Sequence, residues 1–149
     1  MILTHWSANP LTEILARPNQ PEGEKPRGLW LSDETDFGWK EWCDGEDFRP
    51  HSFAFRADFS VDTSRVLHIK GCGDLEDFHF THSMGSDFIG SRMINWPAVA
   101  EKWSGIVITP YLWNMRLSDV ASWYYGWDCA SGCIWGPTVL TRIPAAAAA

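Results

Sequence analysis

Apolar positions alternate most cleanly between Ser52 and Val61, where Phe53, Phe55, Ala57, Phe59 and Val61 fall on one side of an extended chain. That period of two predicts a half-buried β-strand. Met1–Ser7 and Gly28–Ser32 read as further strands, the second bounded by turn residues. Arg65–Lys70, Ile106–Tyr111, Gly132–Trp135 and Val139–Ile143 complete the strand set. Helical signals are short. Leu11–Ala16 and Ser118–Tyr125 each allow about two turns, and Thr35–Cys43 places Phe37, Trp39 and Trp42 along one element. Asn95-Trp96-Pro97 opens a helix through Trp103, with Asn95 as cap and Pro97 in the first turn, where its missing N–H does no harm. Arg17–Arg27 and Gly85–Gly90 read as loops. Asp74–His82 carries Leu75, Phe78 and Phe80 without a clean period and is read as extended. Short strands mixed with short helices, without regular βαβ alternation, predict an α+β fold rather than a doubly wound one.

The length of 149 residues suits one domain, taken as residues 1–144. The run Ala145–Ala149 reads as an added remnant and is left out of the fold. Ten tryptophans are several times ordinary usage, so most must be core and some are available to wall a pocket for a flat ligand. The net charge of −7 and the absence of any Lys/Arg run argue against a general binder of duplex phosphates, though a local patch would suffice for an enzyme acting on one nucleotide. There is no Gly-rich dinucleotide fingerprint, P-loop or HExxH. The opening residues show neither a signal peptide nor a membrane-length apolar run, which predicts a cytoplasmic protein with Cys43, Cys72, Cys129 and Cys133 as free thiols.

Three pieces carry candidate chemistry: Thr4-His5-Trp6-Ser7, Gly28-Leu29-Trp30-Leu31-Ser32, and the late stretch from Trp123 to Pro137 that holds Asp128. In this order they resemble the ADP-ribosyltransferase family, of the small bacterial or phage toxin and effector type. The resemblance implies two small, mostly antiparallel β-sheets holding NAD in a split between them, with short peripheral helices. It implies that His5 binds the adenosine ribose with Ser7 beside it, and that Trp30 stacks on nicotinamide, where many relatives have Tyr. Ser32 would face the nicotinamide ribose, and Trp39 and Tyr111 would help wall the pocket. Asp128 would take the place of the usual catalytic Glu, stabilising positive charge on the ribose as the nicotinamide bond breaks. A direct overlay of the late strand instead puts Ser131 nearest the family's carboxylate position. NAD would be the co-substrate and a macromolecule the acceptor, a protein rather than a nucleic acid given the acidic surface.

Plainer readings stand beside these. His5 also suits a strand-end core, Trp30 a buried strand, and Asp128 a turn residue bonded to nearby backbone. His68, Cys72, His79 and His82 are zinc-type ligands within 15 residues, yet His79 and His82 on an extended segment would point to opposite faces. No local signature supports a thiol nucleophile. The main rival is a non-enzymatic acidic module, an inhibitor or nucleic-acid mimic. It would present the carboxylates at Asp33, Glu34 and Asp36, at Asp44, Glu46 and Asp47, and at Asp74, Glu76 and Asp77.

Overall fold

The computed structural model describes residues 1–48, 53–85 and 91–145. Ser52, residues 86–90 of the Gly85–Gly90 loop and residues 146–149 of the alanine tail lie outside the described residues. Seven strands form one sheet: β1 (Ile2–Ser7), β2 (Leu29–Ser32), β3 (Phe55–Val61), β4 (Leu67–Ile69), β5 (Gly105–Ile108), β6 (Ser131–Ile134) and β7 (Leu140–Arg142). Their spatial order is β4-β5-β6-β2-β1-β3-β7. Among the described residues only the β4–β5 pair is parallel. The expected pair of small sheets is thus replaced by a single hydrogen-bonded sheet. Its joints are unequal: β1 and β3 pair at six positions and β2 and β6 at four, but β1 and β2 share one pair, Thr4 with Ser32. That single bridge is a seam in the middle of the sheet.

Strand alternation sorts the core onto two faces. Leu3, Leu31, Phe59, Val61, Val107 and Ile134 build an aliphatic core on one side. Ile106, Ile108 and Cys133 face the other side, where they meet an aromatic core of Phe78, Trp96, Tyr111, Trp123, Tyr124, Trp127 and Trp135. Gly132 lies where β6 crosses β5, and a Cβ there would sit 2.6 Å from both Ile106 O and Val107 Cγ2, so the close approach requires glycine.

The helices are α1 (Trp39–Gly45), α2 (Cys72–His82) and α3 (Trp96–Ala100). Asn95 caps α3 as expected, accepting from Ala98 N at 3.1 Å, although α3 stops at Ala100 rather than Trp103. The segment read as extended at Asp74–His82 is instead α2. Its buried residues Leu75, Phe78 and His79 follow helical spacing, and the pattern was hidden because one core position is a histidine while Phe80 is exposed. On this helix His79 and His82 share a face, contrary to the extended reading. Leu11–Ala16 is not helical. The seven residues between Pro10 and Pro18 are too few to form a stable helix on their own, and Leu11 and Ile14 pack directly on the aliphatic core. The expected Ser118–Tyr125 helix is reduced to a 3₁₀ turn at Ser122–Gly126.

The link from β2 to α1 is fastened to the loops beside it. Thr109 Oγ1 donates to Asp33 Oδ2 at 2.8 Å, Tyr111 N to Asp36 Oδ2 at 2.7 Å, and Ala130 N to Phe37 O at 2.7 Å. Burial pushes the Asp33 carboxyl up, but hydrogen bonds from Thr35 and Thr109 outweigh it and hold the group below the usual carboxylate range.

Candidate functional site

A cavity of about 300 Å³ opens at the seam between β1 and β2, at the lower end of the size range of ligand pockets. Thr4, His5 and Trp6 line it from β1, and Trp30, Leu31 and Ser32 from β2. Trp39 contributes from α1, Lys25 from the β1–β2 connection, Gly126–Cys129 from the approach to β6, and Ser131 from the start of β6 itself. Of the residues singled out in the sequence, His5, Trp30, Ser32, Trp39 and Asp128 therefore meet in one cavity.

Ser7 and Tyr111, also expected at the site, do not line this cavity. Ser7 lies past the seam, paired with Phe55 of β3, and its hydroxyl donates to Asn9 O at 2.7 Å. Tyr111 is buried in the aromatic core, its ring 4.7 Å from Trp113, 5.6 Å from Phe37 and 5.7 Å from Tyr124. Burial pushes its phenol up to about 12.

The register explains how the cavity is built. Thr4, Ser32 and Ser131 occupy one row across β1, β2 and β6 and are all buried. Each hydroxyl already donates inward: Thr4 to Asp58 Oδ1 at 2.6 Å, Ser131 to Cys129 O at 3.0 Å, and Ser32 to the Glu34 carboxylate. With their protons committed, these oxygens offer lone pairs to a ligand and so suit a donor such as a sugar hydroxyl. His5 stands one position off the row, where the ladder between β1 and β2 has stopped. Its Nδ1 lies 2.9 Å from Trp30 O, and since a carbonyl only accepts, Nδ1 carries the proton. In the tautomer that donates from Nδ1, Nε2 is left as an acceptor.

The walls are aromatic. Trp30 packs against the buried Trp127 with ring centroids 4.8 Å apart, and Trp39 stacks on Trp42 at 5.0 Å and 14°. Asp128 supplies the carboxylate in this apolar setting. Burial pushes its pKa above the ordinary carboxylate value, with Lys25 and Arg116 pulling back and Glu46 adding to the rise. Among the described residues Asp128 makes no hydrogen bond or ion pair, unlike Asp33, Asp36 and Asp58.

Lys25 is the functional candidate that sequence reasoning missed, because it sits in a segment read as an exposed loop. No periodicity or motif marks it. Its ammonium lies 5.4 Å from the centroid of the Trp30 ring.

The competing chemistries fare differently. Burial pushes the Cys129 thiol up to about 12 and Cys133 higher still, so neither is a thiolate at neutral pH. Among the described residues no three His, Cys, Asp or Glu side chains are placed to hold a metal ion. The first acidic cluster is spent internally, with Asp33 on Thr35 and Thr109, Glu34 on Ser32 and Asp36 on Tyr111 N. Asp44 pairs with Lys40, and Asp74 accepts from Lys70 N. Among the described residues no helix is long and apolar enough to cross a membrane. Comparison with protein-family models, curated proteins and solved structures yields no match.

Proposed function

We propose that the seam cavity binds NAD and that the protein transfers ADP-ribose from it to a macromolecular acceptor, a protein in preference to a nucleic acid. The observation that carries this reading is the placement of Asp128. A carboxylate that makes no hydrogen bond or ion pair among the described residues lies on a cavity walled by Trp6, Trp30, Trp39 and Trp127 and floored by hydroxyl acceptors. Trp30 offers a face to the flat nicotinamide. Ser32 and the free Nε2 of His5 accept from ribose hydroxyls. Asp128 stabilises the positive charge that grows on the sugar as the C1′–N bond breaks, with both electrons leaving on nicotinamide as a neutral molecule. A nucleophile of the acceptor then bonds to C1′ and gives up its proton to solvent. The cavity is too small to enclose a dinucleotide, so the adenosine end of NAD lies outside it, and the acceptor reaches C1′ through the open mouth of the cavity. The split NAD cleft of the resemblance corresponds, on this reading, to the one-pair seam between β1 and β2.

The test is calorimetric titration with NAD. Trp30→Ala is expected to stay folded, since Trp30 is only partly buried, and to weaken NAD binding by about 1–3 kcal/mol, the value of one large apolar contact. Unaltered NAD affinity in a folded variant rules out Trp30 as the stacking surface. An absence of any heat with the wild type at millimolar NAD removes the transferase reading and leaves the acidic binding module.

A further inference from the structure

The β1–β2 connection is long, but it is tied down on both sides of Lys25. Gly23 exchanges backbone hydrogen bonds with Ile94, at 3.2 and 2.9 Å, and accepts from Trp96 Nε1 at 3.0 Å. Three residues later Pro26 is buried, its carbonyl 3.8 Å from Cys133 Sγ. The buried Gln20 side chain closes the loop by donating to Arg17 O and Arg27 O, at 2.6 and 2.7 Å, and accepting from Arg27 N at 2.7 Å. Lys25 stands between these anchors with its ammonium over Trp30 and its stem along Gly126, where an added Cβ would meet Lys25 Cε at 3.0 Å. Its neighbour Glu24 faces Arg92 at 3.4 Å. Among the described residues Lys25 has no ion pair. In a chain with 12 basic and 19 acidic residues, a cation at the lip of a cavity that is attracted to Asp128 without closing an ion pair with it keeps its donors open to an anion from outside.

We infer that Lys25 is a prepositioned phosphate contact, so that the cavity selects a nucleotide bearing a pyrophosphate over the free nucleoside. This inference deepens, and rests on, the reading of the cavity as an NAD site. The ammonium is a compact point charge with three donors, suited to a phosphate oxygen. The pinned loop spares the ligand the cost of ordering it. Asp128, on the same cavity, would repel a phosphate placed beside it. Lys25 therefore sets the direction in which the ligand lies, phosphates toward the β1–β2 connection and sugar toward Asp128.

The experiment compares wild type, Lys25→Gln and Lys25→Arg by calorimetry, with ADP-ribose and nicotinamide riboside as separate probes. Lys25→Gln is expected to weaken ADP-ribose roughly tenfold, as for loss of one charge-assisted hydrogen bond, and to flatten the salt dependence of binding. Nicotinamide riboside should bind within about twofold of wild type, which a loop collapse would not allow, and Lys25→Arg should restore ADP-ribose. Unchanged ADP-ribose affinity in Lys25→Gln, or equal losses for both probes, overturns the assignment. If the wild type takes ADP-ribose in a Lys25-dependent way but not nicotinamide riboside, the phosphate contact stands and the transferase reading falls. If it takes neither, both fall.

Discussion

Replacing Asp128 by Asn is expected to slow cleavage of NAD by about 10²–10³-fold, the usual loss when a preorganised electrostatic group is removed from a reacting centre. NAD affinity should change only a few-fold, because the carboxylate works on charge that develops in the transition state. Two pH signatures accompany the loss. Burial raises the Asp128 pKa, so wild-type cleavage should fall on acidification at a higher pH than for an ordinary aspartate as the group takes up its proton. Stability moves the other way. A carboxyl whose folded pKa is raised destabilises the fold when ionised, so Asp128→Asn should be slightly more stable than wild type at neutral pH. That advantage should shrink as pH falls through the folded pKa. Rates from labelled NAD and melts across pH check both. A wild-type rate in the Asn variant would show that Asp128 is not the group that stabilises the sugar cation.

The largest stability effect belongs to Trp96. Its side chain is fully buried, with ring centroids 5.7 Å from Phe78, 6.1 Å from Trp123 and 6.5 Å from both Trp127 and Trp135, and its N–H holds Gly23 O. Trp96→Ala removes an indole from the centre of the aromatic core and should cost about 3–5 kcal/mol. Trp96→Phe keeps most of the packing but leaves Gly23 O without its donor, and should cost less. Because Gly23 anchors the loop that carries Lys25, the Phe variant should weaken ADP-ribose more than it weakens nicotinamide riboside. Denaturant unfolding measures the first effect, and a loss under about 1 kcal/mol for Trp96→Ala is incompatible with a close-packed indole cluster.

Much of this was legible in the sequence because local signals and tertiary packing agree. The alternation of Ala57, Phe59 and Val61 is β3, and the Asn95 cap is where the chain enters α3. Where they disagree, sequence reasoning failed for identifiable reasons. The α2 pattern uses His79 as a core residue and leaves Phe80 outside, so polarity misreports burial at two of its eleven positions. Tyr111 looked like a cavity wall because an aromatic at a strand end can serve one. Phe37, Trp113 and Tyr124, which enclose it, come from sites up to 74 residues away, as the Phe37 contact shows. Ser7 shares a strand with His5, but the seam opens at Thr4–Ser32, and no local pattern announces where a ladder stops. Lys25 is set by anchors at Gly23 and Pro26 whose partners lie about 70 and 107 residues further along the chain, beyond the reach of any local pattern.

The central claim is that NAD lies in the seam cavity against Trp30. The ten indole N–H groups provide separate reporters, so the most direct measurement is a heteronuclear NMR titration of the labelled indoles with NAD, assigned by single Trp substitutions. Trp6, Trp30, Trp39 and Trp127 line the cavity and should shift together with one saturation curve. Trp135, whose N–H is held by Trp103 O at 2.7 Å in the core, and the exposed Trp113 should not move. Silence of the four cavity signals at millimolar NAD, or the largest shifts at Trp113 or Trp135, would contradict the account.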